Sequence, residues 1–146
     1  LVAAAKLSQI PFLIIGVEKD LFDRMGLKVP QNVRLLPEMD QQGLRGYYQK
    51  CAVFCQPSRS EGMPNTLCEA MACGCIPVGM DVDGIPTAIG DTGFVVPLGD
   101  VNALAEALQK AVRMDISQGF QARERIINEF PLQRRISGLR RALEEI

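Results

Sequence analysis

Residues 52–79 read AVFCQPSRSEGMPNTLCEAMACGCIPVG, and they contain a strand, a loop, a helix and a second strand in that order. The apolar runs at 52–57 and 76–79 are typical of strands buried in a parallel sheet. Between them, residues 65–73 have helical periodicity, and Gly74 is of the type that commonly ends a helix. Two strands joined through a helix form a right-handed parallel unit, so this stretch predicts an α/β fold.

The same alternation continues on both sides of this unit. Apolar runs predict three further strands, at residues 11–16, 32–37 and 93–97. Amphipathic patterns predict further helices over residues 1–9, 18–26 and 41–50, after the N-cap Asp100, up to Phe130 and after Pro131. The sequence therefore predicts a Rossmann-like parallel sheet with helices on both faces, an α/β core over 1–130 and a C-terminal helix over 131–146. The continuous run at 11–16 also predicts a strand buried on both faces.

Length and composition exclude several classes of protein. A chain of 146 residues supports one domain, and 47% apolar with 23% charged residues is typical of a globular protein. Sixteen basic and seventeen acidic residues give a net charge of −1, which argues against a nucleic-acid binder. No apolar run is long enough to predict a membrane-spanning helix. Because the chain has no histidine, it cannot supply a Ser-His-Asp triad or a histidine ligand for zinc.

The first residues and the cysteines predict a cytoplasmic location. The start, LVAAAKLSQ, lacks the pattern of a signal peptide, and because it has no methionine we expect a piece of a longer protein. Five cysteines form no Cys-x-x-Cys pair, and their number is odd. We interpret them as small buried apolar residues in a reducing compartment.

The loop between the two central strands is the candidate binding site. Ligands of parallel sheets bind at the carboxyl ends of the strands, and residues 58–66 follow one such end and lead into a helix. Pro64 suits a first helical turn, and the N–H groups of Asn65, Thr66 and Leu67 are then free to bind an anion. Gly62 allows a ligand to approach the backbone closely.

Two glutamates lie on either side of this anion site. Glu69 is one helical turn beyond Asn65 and points away from the predicted core stripe of Leu67, Ala70, Met71 and Gly74. A carboxylate at that place can accept two hydrogen bonds from a ribose diol, and Glu61 can accept bonds from a sugar at the far phosphate. Phosphates between two carboxylates describe a nucleotide-sugar. On spacing alone, the favoured interpretation is instead that Glu69 is a solvated helix residue and Glu61 a loop charge.

The stretch from Pro57 to Gly74 resembles the E-x7-E signature of the group 1 (family 4) glycosyltransferases. The similarity extends outward on both sides and covers nearly the whole chain. The matching segments are NVRLL at 32–36, IPV at 76–78, DGIP at 83–86 and TGFVVPLGD at 92–100. The resemblance implies the C-terminal, donor-binding lobe of a GT-B enzyme that retains anomeric configuration and requires no metal or other cofactor. The N-terminal acceptor lobe is then missing from this piece.

The resemblance also implies a role for each site residue. Glu61 is the catalytic residue, at the donor sugar, and Glu69 holds the ribose. The backbone contacts to sugar and diphosphate come from Gly62, Met63, Pro64, Asn65, Thr66 and Leu67. The base rests near Gly16, Leu36 and Pro37. The chain departs from the family at Thr87, where glutamate is common, and the family's basic Arg–Lys pair lies upstream of Leu1.

Two short motifs raise the alternative of a metal site, and we reject both. Cys68, Cys73 and Cys75 offer thiolates, but their spacing is not the paired one that zinc favours. Asp81-Val82-Asp83 spells the D-x-D of the other large glycosyltransferase fold, and we interpret it as loop charge.

Two functions follow from the resemblance. The first is a hexosyl-type glycosyltransferase that uses a UDP-, GDP- or ADP-sugar and a glycan or lipid acceptor in polysaccharide or glycolipid biosynthesis. The second is a non-catalytic nucleotide-sugar-binding module that needs a partner chain or lobe. This piece alone is expected to be inactive. The arginines after Pro131 are compatible with peripheral association at the inner face of a membrane, whereas Glu144 and Glu145 favour a solvated helix face.

Overall fold

A computed structural model describes residues 1–144, in which five strands alternate with helices. The strands are β1 (Phe12–Ile15), β2 (Val33–Leu36), β3 (Val53–Gln56), β4 (Ile76–Met80) and β5 (Phe94–Val96). The helices are α1 (Val2–Lys6), α2 (Lys19–Arg24), α3 (Gln41–Tyr48), α4 (Asn65–Ala72), α5 (Ile85–Ile89), α6 (Val101–Ala111), α7 (Ser117–Glu129) and α8 (Leu132–Glu144). Every predicted element is present in the described residues, and α5 is an element that the sequence did not predict. Of the predicted C-terminal segment, residues 145 and 146 lie outside the described part.

All strand pairs are parallel, which confirms the predicted α/β class. The strands of residues 1–144 form two sheets, β1–β2 and β3–β4–β5, instead of the single sheet that was predicted. Both sheets contribute to one core, because Phe12 of β1 and Val53 of β3 pack against the same buried cluster. The two sheets therefore share one hydrophobic core even though no described strand joins them by hydrogen bonds.

Burial is greatest at β4, whose five residues are all buried. The two-stranded sheet β1–β2 is less covered, and Leu13 of β1 is 40% exposed. The prediction that residues 11–16 are buried on both faces is therefore wrong for β1. Leu21 and Met25, predicted for the apolar face of the α2 region, are also exposed. Leu13 is exposed because the elements described for residues 1–144 leave part of this face of the β1–β2 sheet uncovered.

Helix α4, which begins at the candidate loop, is fixed at its far end by α7. The helix ends at Gly74 as predicted, and it does so in a Schellman motif, because Gly74 has φ +92° and the N–H of Cys75 donates to the carbonyl of Ala70. Gly119 of α7 packs so closely on this turn that a Cβ there would overlap the Gly74 carbonyl oxygen. Arg123 of α7 also donates to the Ala72 carbonyl. These contacts hold α4, and with it the loop that precedes it.

We expect Gly119→Ala to lower the free energy of unfolding by about 1–3 kcal/mol, because the added methyl group overpacks the contact between α7 and α4. Gly46→Ala is the matched control. A Cβ at Gly46 meets nothing within 4 Å, so alanine there should instead stabilise α3 by about 0.5–1 kcal/mol. Urea unfolding of both variants measures the difference. Equal effects of the two substitutions would contradict the packing described for α7.

Helix α5 is held at its C-terminus by a guanidinium group. Arg125 of α7 donates to the carbonyls of Thr87 and Ala88 at 2.8 and 2.9 Å, and so satisfies two acceptors that a helix end leaves without partners. Its ion pair with Glu129 fixes the guanidinium in place. This contact sets the position of α5 and of the turn before it, which borders the candidate site.

Among residues 1–144, no helix is long and apolar enough to cross a membrane.

Candidate functional site

The loop from Pro57 to Pro64 connects the carboxyl end of β3 to the N-terminus of α4. Pro64 is the N-cap, with φ −73° and ψ 107°, so the prediction that it lies in the first helical turn is wrong by one residue. Asn65, Thr66 and Leu67 are then the first three helical residues, and no described residue accepts a hydrogen bond from their backbone N–H groups. These three donors, together with the helix dipole, form a region that attracts an anion.

The predicted core stripe of α4 is confirmed for Leu67, Ala70 and Met71, which are fully buried, whereas its fourth member, Gly74, is only partly buried. Glu69 lies off this stripe and is only partly buried. Its carboxylate has no hydrogen bond or ion pair to any side chain described for residues 1–144. Burial raises the pKa of the Tyr48 hydroxyl, and the negative charge of Glu69 raises it further, which places Glu69 on the α3 side of α4. The carboxylate is thus available to a ligand beside the helix N-terminus.

Glu61 is held by a network of side chains at the end of β3. Its Oε1 accepts a hydrogen bond from Gln56 Nε2 at 2.9 Å and another from Ser58 Oγ at 2.9 Å. Gln56 Nε2 also donates to Ser58 Oγ at 2.8 Å, so the three side chains form a closed triangle. Thr66 Oγ1 donates a long bond of 3.5 Å to Gln56 Oε1. The described residues offer no partner to Glu61 Oε2, which is the oxygen left for a ligand.

The backbone of the same loop is held by the turn before α5. Asp83 Oδ2 accepts a hydrogen bond from the Glu61 N–H at 2.8 Å, and the Gly84 N–H donates to the Gly62 carbonyl at 3.0 Å. A Cβ at Gly84 would overlap that carbonyl oxygen, so glycine is needed for this approach. Asp83 has φ +47°, a conformation that residues with a side chain seldom adopt. Our interpretation of Asp81-Val82-Asp83 as simple loop charge was therefore incomplete.

The three residues predicted to lie near a base are at the end of the other sheet. The N–H of Gly16 donates to the Leu36 carbonyl at 3.1 Å, continuing the pairing of β1 with β2. The Leu36 side chain is buried, whereas Gly16 and Pro37 are exposed. No hydrogen bond within residues 1–144 joins this group to the loop of residues 58–66. The structure brings Gly16, Leu36 and Pro37 together, but it does not connect them directly to the anion-binding donors.

A cavity of about 750 Å³ borders the N-terminus of α4. Met63 and Asn65, two of the predicted site residues, form part of its wall. The remaining wall comes from α4, α5, the end of α7 and the start of α8: Cys68, Thr87, Ile126, Glu129, Phe130, Pro131 and Arg134. Thr87, the position where the resembled family commonly has glutamate, thus borders this cavity.

The cysteines are structural, although less uniformly buried than predicted. Cys75 is buried, and its thiol donates to the carbonyls of Tyr48 and Cys51 at 3.2 and 3.3 Å. Burial raises the pKa of Cys75 to about 12 and that of Cys55 to about 11, so both stay protonated near neutral pH. The other four thiols are free and partly exposed. Within the described residues, no three His, Cys, Asp or Glu side chains lie together as a metal site would require.

Three residues of the site were missed by the sequence reasoning: Gln56, Ser58 and Asp83. Gln56 carried the one available signal, since it is a polar residue at the end of an otherwise apolar strand and must find partners when buried. Its partner Glu61 is five residues away, and Asp83 is twenty-two residues from Glu61. Sequence spacing alone does not indicate contacts of that kind.

Comparison with known protein families matches residues 1–114 to the family described as glycosyl transferases group 1. The phosphatidyl-myo-inositol mannosyltransferase of Mycobacterium leprae is 33% identical over 112 residues, which are 73% of this chain and 30% of that protein. Sucrose-phosphate synthase from Thermosynechococcus elongatus has a similar structure, with a TM-score of 0.76 and 27% identity over 99% of this chain and 41% of its own. S. aureus TarM, solved in a complex that includes UDP, has a TM-score of 0.76 and 21% identity over 93% of this chain and 29% of its own. The chain spans less than half the length of each of these proteins.

Proposed function

The chain belongs to the group 1 glycosyl transferases, and on that premise we propose that its β3–α4 loop binds the nucleotide-sugar donor of a retaining sugar transfer. The observation that carries this proposal is the row of three N–H groups at the start of α4 that have no partner among residues 1–144, with Glu61 before them and Glu69 after them in the chain. An anion with hydroxyl groups at both ends matches that arrangement. A nucleotide-sugar is such an anion, with its diphosphate between a ribose and a second sugar.

The diphosphate binds at the N-terminus of α4. The N–H groups of Asn65, Thr66 and Leu67 point at its oxygens, and the helix dipole adds to their attraction. Gly62, Met63 and Pro64 provide the backbone that the phosphate and sugar approach. Because these groups and basic residues outside residues 1–146 neutralise the diphosphate, donor binding needs no metal ion or other cofactor.

The two glutamates bind the two sugars of the donor. Glu69 accepts hydrogen bonds from the ribose hydroxyls, and its lack of a described partner leaves both oxygens for that purpose. Glu61 contacts the hydroxyls of the transferred hexose through Oε2, and it acts where the glycosidic bond breaks. The base lies toward Gly16, Leu36 and Pro37. Since the Gly16 N–H already donates to Leu36, the base is held there by carbonyl groups and by packing.

The acceptor half of the enzyme lies outside residues 1–146 in this proposal. Its support is the chain's coverage, which is 30% of the mannosyltransferase and 41% of the sucrose-phosphate synthase. The mannosyltransferase is named for a lipid, phosphatidyl-myo-inositol, and we extend this to a glycan or lipid acceptor for the present protein. Residues 1–146 alone are then a donor-binding module without transfer activity.

A thermal-shift panel tests the binding site. We expect one of UDP-glucose, GDP-mannose and ADP-glucose to raise the Tm of the protein, because a ligand at about 100 times its Kd stabilises by about 2.7 kcal/mol. EDTA should leave the shift unchanged. Asn65→Pro should weaken binding about tenfold, since it removes one charge-assisted hydrogen bond. Proline is tolerated at this first helical position, and the ψ of 107° at Pro64 suits a residue that precedes proline.

Asn65→Ala is the matched control, because it removes the same side chain and keeps the N–H. If alanine weakens binding as much as proline, the Asn65 N–H is not what binds the nucleotide-sugar. A shift that disappears with EDTA and returns with Mn²⁺ would replace the metal-independent site with one that uses Asp81 and Asp83. No shift with any of the three nucleotide-sugars would contradict the proposed function.

A further inference from the structure

We propose that Gln56 and Asp83 are positioning residues for Glu61. Gln56 holds the Glu61 carboxylate, and Asp83 holds the Glu61 backbone N–H. The inference rests on the proposed role of Glu61 at the donor sugar. It extends that role to a residue at the end of β3 and a residue in the turn before α5, neither of which contacts the sugar itself. Gln56 fixes one oxygen of Glu61 and leaves the other to the ligand, while Asp83 fixes the Glu61 backbone.

Gln56 is buried to 8% exposure at the last position of β3, so its amide must be satisfied inside the protein. A carboxylate can only accept hydrogen bonds, so the nitrogen of the amide, rather than its oxygen, faces Glu61. Gln56 Nε2 donates to both Glu61 Oε1 and Ser58 Oγ, while Gln56 Oε1 accepts the long hydrogen bond from Thr66 Oγ1. Every polar atom of the amide is therefore used, and the side chain links Glu61 to the first turn of α4.

Asp83 holds Glu61 from the opposite side. Its carboxylate accepts the Glu61 N–H at 2.8 Å, a charge-assisted bond between two loops. The backbone of Asp83 at φ +47° is strained for a residue with a side chain, and such strain persists where surrounding contacts determine it. The neighbouring bond from Gly84 to the Gly62 carbonyl fixes the same pair of loops. Glu61 is thus held at its N–H and at Oε1 by separate elements of the fold.

This arrangement predicts that Gln56 matters for turnover more than for nucleotide binding. A glutamate in a loop samples many rotamers, and holding it in place before the donor arrives lowers the entropic cost of reaching the reactive geometry. Free nucleoside diphosphate lacks the transferred sugar, so its binding does not depend on Glu61. A residue that merely stabilises the loop would affect both.

The test is a double-mutant cycle on the full-length protein with Gln56→Leu and Glu61→Ala. The assay is release of nucleoside diphosphate from whichever nucleotide-sugar gives the largest thermal shift, and the affinity for the matching nucleoside diphosphate is titrated beside it. We expect Gln56→Leu to lower kcat about tenfold, as for directly coupled neighbours, with little change in nucleoside diphosphate affinity. In the Glu61→Ala background, Gln56→Leu should have no further effect on kcat.

Other outcomes would contradict either the role of Gln56 or the role of Glu61. If Gln56→Leu lowers kcat equally with and without Glu61, or weakens nucleoside diphosphate binding as much as kcat, Gln56 is structural and the proposal fails. If Glu61→Ala itself leaves kcat unchanged, the proposed function of Glu61 fails, and this proposal fails with it.

Asp83 has its own test. Asp83→Gly removes the carboxylate and its hydrogen bond but also relieves the positive φ, so the loss of Tm is partly offset while kcat falls severalfold. Asp83→Asn keeps an oxygen that can accept the Glu61 N–H and should recover part of the lost kcat. A wild-type kcat in Asp83→Gly would overturn the role of Asp83.

Discussion

Glu61→Gln is expected to lower kcat about 10²–10³-fold, the size of effect seen when one preorganised contact to a transition state is removed. The substitution retains the shape of the side chain, and an amide oxygen can still accept from Gln56 and Ser58, so the loop should stay in place. What is lost is the charge that faces the transferred sugar. Contacts that strengthen in the transition state appear in kcat, and the free nucleoside diphosphate should bind nearly as well as before.

The measurement pairs turnover with a titration of UDP, GDP or ADP, according to the donor that the protein accepts. A wild-type kcat would show that Glu61 is not at the reacting sugar. A loss of nucleoside diphosphate affinity as large as the loss of kcat would also contradict this placement, because Glu61 would then lie against the nucleotide.

Glu69→Gln is expected to weaken binding of the nucleoside diphosphate and of the nucleotide-sugar by the same factor, about 10- to 100-fold. In the proposed site the carboxylate accepts from two ribose hydroxyls, and hydrogen bonds to a charged group contribute about 1.5–3 kcal/mol. Both ligands contain the ribose, so both should suffer alike. Isothermal titration of each ligand measures the two factors.

Glu106→Gln is the matched control for this experiment, since Glu106 is an exposed glutamate on α6, away from the candidate loop. It should leave both affinities unchanged. If Glu69→Gln weakens only the nucleotide-sugar, Glu69 contacts the hexose and the two glutamates have exchanged places. If it weakens neither, the ribose lies elsewhere.

Much of the fold could be predicted from local patterns. The helix over Asn65–Ala72 follows from a stripe at helical spacing, and its end follows from Gly74, which adopts the positive φ that glycine allows. Asp100 caps α6 as predicted, because its carboxylate accepts the N–H groups of Asn102 and Ala103. These features depend on residues within a few positions of each other, which is why the sequence alone reveals them.

Other features depend on contacts that local patterns do not contain. Helix α5 has only five residues and begins next to Pro86, too short for an amphipathic pattern to emerge. The exposure of Leu13 depends on which elements cover β1, and an apolar run does not specify them. Asp83 meets the Glu61 N–H because the ends of β3 and β4 lie side by side in register. Gln56 meets Glu61 because of the path of the loop between them, which residue spacing does not specify. The two glutamates of the candidate site could be proposed from the sequence, whereas the side chains that hold Glu61 in place could not.

A crystal structure of the protein with the nucleoside diphosphate of the donor that raises its Tm most tests the proposed site directly. We expect phosphate oxygens within hydrogen-bond distance of the N–H groups of Asn65, Thr66 and Leu67, with the ribose hydroxyls on the Glu69 carboxylate. A diphosphate bound instead in the cavity between α5, α7 and α8, against Thr87 and Arg134, would contradict it.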